Sequence, residues 1–350
     1  MGMLALQQLM SLQRRRGSIA SVRKRKASPC DQDGDGGSQA CKRMRCSIPD
    51  LPEDIWHYIH SLMPLRDAAR VACLSRAFLH SWRCHPNLSL SRDTVGSSDK
   101  IDHILRNHSG HLKVLKLGLD GISCRYLDSW LHIAVTAGIE EFTLMPFRRK
   151  YNVPSSLFSD GVRNSIQYLE LGFCTFRPTA ELGPLRSLTS LHLRTLRITG
   201  DELECLLSKA LALEQLVIID CKEIICLKLS CTMPNLETLV LSSDEEVVNT
   251  PILPTKFLYL KHLTIDMVSG LSFSPSYDYF SLVSFLLASP SLETLILNVT
   301  QQCMEHESAV GGSSHLRKMP EHQHCCLKSV KIIGFSSAKG LVLKLCGPCN

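Results

Sequence analysis

Aliphatic residues recur in one spaced phrase along most of the chain: an aliphatic position, two variable ones, an aliphatic, one variable and a last aliphatic. The phrase occurs nine times between residues 112 and 332, with successive copies 22 to 35 residues apart. Its central positions are Leu115, Phe142, Leu169, Leu191, Leu216, Leu239, Leu263, Leu295 and Val330. One unit of this length cannot bury its own apolar edge, so neighbouring units must stack. The period therefore predicts a solenoid with one long open face.

Helical periodicity fills several intervals between these predicted strands, at residues 100–107, 126–135, 201–210 and 279–288. Strand followed by helix at a period near 25 residues is typical of leucine-rich repeats. That class places Asn or Cys three residues after the last aliphatic, and five of nine units here hold a residue that can hydrogen-bond: Asp120, Cys174, Cys221, Asp244 and Thr300. We therefore expect an α/β solenoid of about nine irregular repeats over 97–345, with a curved parallel sheet and outer helices.

Side chains alternate along a strand, so the residue between two inward aliphatics points outward. These outward residues are Lys116, Thr143, Glu170, His192, Val217, Val240, Thr264, Ile296 and Lys331. Polar residues occupy the ends of the row, whereas its middle is apolar and is extended by Ile219. An exposed apolar strip with a polar rim predicts a binding site for a target protein, at Val217, Ile219, Val240 and Ile296. The alternative is that the chain's own loops, 267–290 or 301–326, cover the strip.

A different pattern precedes the repeats, in residues 48–86. Ile55, Ile59 and Leu62 form one apolar helical stripe after Pro52, and Pro64 ends that helix. Helical spacing then resumes twice before Pro86. Three short helices in so few residues cannot bury all of their large apolar groups alone. We expect a partner or the next domain to cover the remainder.

Twelve residues of this segment, at fixed spacing, resemble the F-box: Leu51, Pro52, Ile55, Ile59, Leu62, Pro64, Asp67, Ala68, Val71, Ser75, Arg76 and the aromatic Phe78. Many F-boxes carry Trp at the last of these positions. The resemblance assigns residues 47–88 to an F-box that docks on a Skp-type adaptor. It implies adaptor contacts at Leu51, Pro52, Ile55, Ile59, Leu62, Pro64, Val71 and Phe78. For each of them the alternative is a place in the module's own core.

An F-box ahead of irregular repeats resembles the large plant family of F-box leucine-rich-repeat proteins. The resemblance implies a non-catalytic substrate-recognition subunit of an SCF-type ubiquitin ligase, which reaches a cullin through the Skp-type adaptor. The alternative is an interaction scaffold that works without a ligase. Neither role needs a cofactor.

The net charge of +6 belongs to the start of the chain. Residues 1–46 carry ten Lys or Arg and three Asp, a balance of +7, so the other 304 residues sum to −1. We expect this basic tail to be disordered, because it is polar and rich in Gly and Ser. Its clusters at 23–26 and 42–45 match a two-part nuclear import signal, or they only solvate the tail. The nearly neutral remainder argues against direct nucleic-acid binding, and we expect a nuclear or cytoplasmic location.

Candidate chemistry is sparse. Cys346 and Cys349 have no second metal-ligand pair, and the His- and Cys-bearing segment 306–326 repeats no ligand pair, so no metal site is expected in either. The sixteen cysteines are scattered, which favours reduced thiols over a disulfide framework. No apolar run reaches the length of a membrane helix. No amphipathic helix is visible after Leu345, so the last repeat is expected to lack a cap.

Overall fold

The computed structural model describes residues 52–120, 123, 125–147, 151–224, 233–243, 257–269, 285–286, 288–301 and 325–333. The chain divides into two compact units. The first runs to Asn87 and includes Asn107–Gly110, and the second comprises Leu88–Arg106 and the chain from His111. The predicted tail at 1–46, Leu51, most of the loops at 267–290 and 301–326, and the predicted uncapped end after residue 333 lie outside the described residues.

The first unit contains three short helices, α1 (Glu53–Ser61), α2 (Leu65–Val71) and α3 (Arg76–Arg83). Pro52 and Pro64 stand immediately before α1 and α2, where their missing N–H groups are not needed. Ser75 caps α3, because its hydroxyl accepts a hydrogen bond from the Phe78 backbone N–H at 3.1 Å. These proline and serine positions set the lengths of the three helices.

Aromatic packing forms the core of this module. The rings of Trp56 and Phe78 meet edge to face with centroids 4.6 Å apart, and the His60 ring packs on Phe78 at 5.3 Å. Phe78 is only 5% exposed, and Trp82 is buried with it. Phe78 therefore belongs to the module's own core, which corrects its assignment as an adaptor contact.

The second unit is built on a ten-stranded sheet in the order β1-β2-β3-β5-β7-β8-β9-β10-β11-β12, and β4 pairs with β6 in a separate ribbon. The strands are β1 (Asn87–Ser91), β2 (Val114–Gly118), β3 (Glu141–Met145), β4 (Asn152–Val153), β5 (Tyr168–Gly172), β6 (Thr175–Phe176), β7 (Ser190–Arg194), β8 (Gln215–Ile219), β9 (Thr238–Ser243), β10 (His262–Ser269), β11 (Thr294–Gln301) and β12 (Ser329–Ile333). From β2 to β12 each strand of the main sheet runs parallel to its neighbour. This open parallel sheet confirms the predicted α/β solenoid.

Helices connect several of these strands: α4 (Ser98–Asn107), α5 (Leu127–Ala134), α6 (Asp160–Arg163) and α7 (Gly200–Leu207), with a 3₁₀ turn at Ser155–Leu157. Thr199 and Glu202 form a capping box that starts α7. Three of the four helices expected from periodicity are present, while residues 279–288 lie mostly outside the described part. No helix among the described residues is long and apolar enough to cross a bilayer.

The aliphatic phrase forms the core of the repeats. Its central residues pair in one row from Leu115 in β2 to Val330 in β12. In β2 to β11 these residues are buried, and each such side chain contributes about 1.5–3 kcal/mol. Val330, in the last described strand, is exposed. The period in the sequence therefore gave both the strand positions and the side of the sheet on which the core lies.

Two buried thiols occupy the predicted hydrogen-bonding position of their repeats. The Cys221 Sγ lies 3.5 Å from the Ile219 carbonyl oxygen and 3.6 Å from that of Leu193, in the preceding strand. Burial raises the pKa of the Cys221 and Cys174 thiols to about 12. Both thiols are therefore protonated and have a structural role.

Candidate functional site

The outward side chains of the sheet lie in rows because neighbouring strands share one register. The central row is continuous and runs Lys116, Thr143, Glu170, His192, Val217, Val240, Thr264, Ile296, Lys331. This is the row predicted from the sequence. A second row, nearer the carboxyl ends of the strands, places Arg194 beside Ile219 and Ser242 beside Asp266. The face is therefore polar toward β2 and β12, and its apolar side chains lie in between.

Four side chains of β5 and β7 form a connected polar cluster on this face: Tyr168, Glu170, His192 and Arg194. Arg194 Nε donates to Glu170 Oε1 at 2.7 Å, and the Tyr168 hydroxyl donates to Glu170 Oε2 at 2.9 Å. His192 Nδ1 lies 3.2 Å from the same hydroxyl, and the Tyr168 and His192 rings pack with centroids 4.9 Å apart. Adjacent strands thus bring together residues about 24 positions apart.

Burial controls the electrostatics of the cluster. The Glu170 side chain is only 12% exposed, and its paired charge is that of Arg194. Burial raises the pKa of the Tyr168 hydroxyl well above its usual value, and the Glu170 charge raises it further. Burial lowers the pKa of His192, although the Glu170 charge opposes this effect. Both shifts favour the neutral forms of Tyr168 and His192.

This arrangement suits recognition better than proton transfer. The Glu170 oxygens already accept from Arg194 and Tyr168, so the carboxylate is committed inside the protein. The Arg194 side chain is 40% exposed and has further N–H donors on its guanidinium. It can meet an acceptor on a bound protein while Glu170 fixes its direction.

The apolar strip lies beside this cluster. Ile219, Val240 and Ile296 are partly exposed, as a contact strip requires. Val217 is only 6% exposed, so its assignment as a target contact is corrected. Its short side chain stands between His192 and Val240 in the adjoining strands, less than about 5 Å away on each side. The exposed apolar strip therefore consists of Ile219, Val240 and Ile296, with Thr264 of β10 between the last two.

Two phenylalanines lie just beyond the carboxyl ends of β3 and β5. Phe147 and Phe173 both have left-handed backbones, with φ of 50° and 55°, and their rings stack with centroids 4.3 Å apart. Such a backbone costs about 1–3 kcal/mol for a side chain other than Gly and is concentrated at functional positions. Phe147 is exposed. This pair was not predicted as a surface feature, although an aromatic residue closely follows the strand in both units.

The helical module presents a second apolar surface. Ile55 on α1 and Leu62, directly after its end, are exposed, Leu62 by 68%, and so are Pro52 and Pro64. Ile59 and Val71 are half-buried. Leu51 lies outside the described residues.

Two further exposed apolar side chains were missed, Tyr58 on α1 and Leu74 after α2. Tyr58 falls three residues after Ile55 and four before Leu62, so helix geometry adds it to their stripe. Residues 48–86 hold more large apolar side chains than so short a module can bury, and this surplus could have predicted that Tyr58 and Leu74 are exposed.

Comparisons with known proteins agree with this organisation. The family model for the leucine-rich-repeat domain of At1g61320/AtMIF1 matches residues 104–233 and 228–346, and the F-box domain model matches residues 48–89.

Similar proteins come from Arabidopsis thaliana. The F-box/FBD/LRR-repeat protein At1g13570 is 28% identical over 266 residues, which covers 71% of this chain and 61% of that protein. The F-box/LRR-repeat protein At3g03360 is 25% identical over 295 residues, covering 78% and 60%. The F-box/LRR-repeat protein At4g14103 is 27% identical over 294 residues, covering 78% and 75%. The chain spans about three fifths of the length of the first two relatives.

Proposed function

Because this chain belongs to the F-box proteins with leucine-rich repeats of the At1g61320/AtMIF1 type, we propose that it is a substrate-recognition subunit of an SCF-type ubiquitin ligase. The F-box docks a Skp-type adaptor and, through it, a cullin. The repeats bind the target protein. In this role the chain itself carries out no catalysis.

The observation that supports adaptor docking is the apolar stripe on α1. Ile55, Tyr58 and Leu62 are exposed together on one side of a helix that has its own aromatic core on another side. Interfaces of this kind gain most of their energy from a few large apolar anchors that become fully desolvated. The stripe supplies three such anchors on a nine-residue helix.

Target recognition is assigned to the outward face of β5 to β11. The strip of Ile219, Val240 and Ile296 supplies an apolar contact, and Arg194 supplies an oriented cation at its border. A target with an apolar segment flanked by a carboxylate fits this order of groups. The ligase then acts by proximity, since the bound target presents its lysines at high effective concentration. We place the complex in the nucleus, the cytoplasm or both, on the basic clusters of the N-terminal tail.

The test is co-purification of the full chain with a Skp-type adaptor and a cullin from plant cells. Ile55→Asp with Leu62→Asp should abolish recovery of both proteins, because two charges would be buried in the interface. Leu211→Asp is the matched control, since Leu211 is an exposed apolar residue outside the module, and it should leave recovery unchanged. Equal recovery of both proteins with all three chains would refute docking through Ile55 and Leu62, and the absence of a cullin with the wild type would favour the ligase-independent scaffold.

A further inference from the structure

Four metal-ligating side chains face one another across two helices of the F-box. Glu53 and His57 are four residues apart on α1, and His80 and Cys84 are four residues apart on and just after α3. Residues at this spacing lie on one side of a helix, so each helix offers a pair of ligands in the same direction. None of these residues has a part in the adaptor or target surfaces described above.

The separations are close to those of a tetrahedral centre. Glu53 Oε1 lies 3.1 Å from His80 Nε2 and 3.7 Å from His57 Nε2. The ligand atoms of His57, His80 and Cys84 all lie within 4.8 Å of one another. Neighbouring ligands around tetrahedral Zn²⁺ are about 3.3–3.7 Å apart, given metal–ligand bonds of about 2.0–2.3 Å. Both histidines lie near Glu53 and near Cys84, and side-chain rotation would be needed to bring Glu53 and Cys84 to the same ion.

The surroundings hold Cys84 in position. The backbone of Gly110 packs directly on it, since a Cβ at residue 110 would lie 2.8 Å from the Cys84 Cα. The Ser109 hydroxyl lies 3.3 Å from the Cys84 sulfur and can donate to a thiolate. A metal-bound thiolate is usually stabilised by such an outer hydrogen bond. Glu53 and His80 are more than half exposed, which leaves an entry path for an ion.

The donor set selects the metal. One thiolate, two imidazoles and one carboxylate match Zn²⁺ and similar divalent transition metals, whereas Mg²⁺ and Ca²⁺ require oxygen ligands. Without a metal, Glu53 forms ion pairs with the two histidines only when they are protonated. A bound divalent cation would give Glu53, His57, His80 and Cys84 one common partner.

We propose that Glu53, His57, His80 and Cys84 form a Zn²⁺ site that ties α1 to α3 in the F-box of this chain. On α1 the two ligands lie on the side opposite the stripe of Ile55 and Leu62, at about 100° of rotation per residue. Metal binding and adaptor docking therefore use different sides of the same helix.

The test is a titration of the reduced full chain with Co²⁺, a spectroscopic substitute for Zn²⁺, followed by displacement with Zn²⁺. The variants are Cys84→Ser and His80→Gln. The controls are Cys205→Ser, a partly exposed thiol, and His132→Gln, an exposed imidazole, both far along the sequence. Controls are needed because the chain has sixteen cysteines, and any accessible thiol can bind Co²⁺ weakly.

The wild type should show one more equivalent of tetrahedral Co²⁺ than Cys84→Ser, and the difference spectrum should contain a thiolate-to-cobalt charge-transfer band. Zn²⁺ should remove that band and Mg²⁺ should not. Both site variants should weaken Zn²⁺ binding by more than about tenfold, and neither control should. Zn²⁺ should also raise the thermal midpoint of the wild type but not of Cys84→Ser.

Identical spectra and affinities for the wild type and Cys84→Ser would overturn the proposal. Far-UV circular dichroism without metal checks that each variant folds. If His80→Gln is misfolded, Glu53→Gln and His57→Gln replace it, because both positions lie on the accessible side of α1. Unchanged Zn²⁺ affinity in those variants would equally refute the site.

Discussion

Arg194→Met tests whether the polar cluster stabilises the recognition face. The change removes the guanidinium that lies 2.7 Å from Glu170 and keeps an unbranched side chain. Because Glu170 is only 12% exposed, water can solvate its charge only weakly once the guanidinium is removed. A hydrogen bond to a charged group contributes about 1.5–3 kcal/mol. Arg194 is 40% exposed, so water partly replaces it, and we expect a loss of about 1–2 kcal/mol.

The assay is amide hydrogen exchange of β5 and β7 in the full chain, since local opening reports the stability of these strands. A loss of about 1–2 kcal/mol should speed their exchange about 5- to 30-fold. Arg197→Met is the matched control, because the Arg197–Glu223 pair has the same 2.7 Å separation but Glu223 is more exposed than Glu170. That variant should change exchange by less than about threefold.

A double-mutant cycle makes the prediction sharper. Glu170→Gln removes the charge that Arg194 stabilises. In that background, Arg194→Met should therefore lower the stability of β5 and β7 by less than it does in the wild type. We expect a coupling energy of about 1 kcal/mol between the two residues. Additive effects, or equal effects of Arg194→Met and Arg197→Met, would refute the claim that a buried carboxylate organises the cluster.

Three other predictions follow from the same structure. Burial lowers the pKa of His192, so below about pH 6.5 the unfolded chain binds more protons than the folded chain. Lowering the pH below that value should therefore lower the thermal midpoint of the wild type. The decrease should be smaller in His192→Gln. Val240→Asp with Ile296→Asp should remove target binding but keep the circular dichroism spectrum and adaptor recovery, whereas a loss of fold would show that both residues are core. Leu216→Ala should destabilise the repeats by about 2–5 kcal/mol in hydrogen exchange, because Leu216 is fully buried and the cavity cannot collapse, whereas exposed Leu211→Ala should have little effect.

The arrangement of the repeats was predictable because one rule governs it. Alternation along a strand fixes which side chains point inward, and a repeated phrase fixes the register, so the row from Lys116 to Lys331 could be read from the sequence. Exposure was not predictable in the same way. Val217 points outward as expected but is only 6% exposed, whereas Val240, the same residue type in the next strand, is partly exposed.

Features that join distant segments escaped the sequence analysis. The contact of Tyr168 with His192 depends on two strands lying side by side, and the turn that stacks Phe147 on Phe173 leaves no hydrophobic period. From the sequence alone, Phe78 could belong to the core of the module or contact the adaptor. Its packing against Trp56 in the structure assigns it to the core. The facing pairs on α1 and α3 were likewise hidden, because each pair alone is an ordinary helical spacing.

The most direct test of the account is the fate of a protein that binds the repeats. Proteins that co-purify with the wild-type chain but not with Val240→Asp/Ile296→Asp are first identified. The ubiquitin on such a protein is then measured in cells that express either the wild type or Ile55→Asp/Leu62→Asp. We predict that the second variant still binds the protein but no longer increases its ubiquitin. Equal ubiquitin with both chains would contradict the proposal that the F-box brings a ligase to whatever the repeats hold.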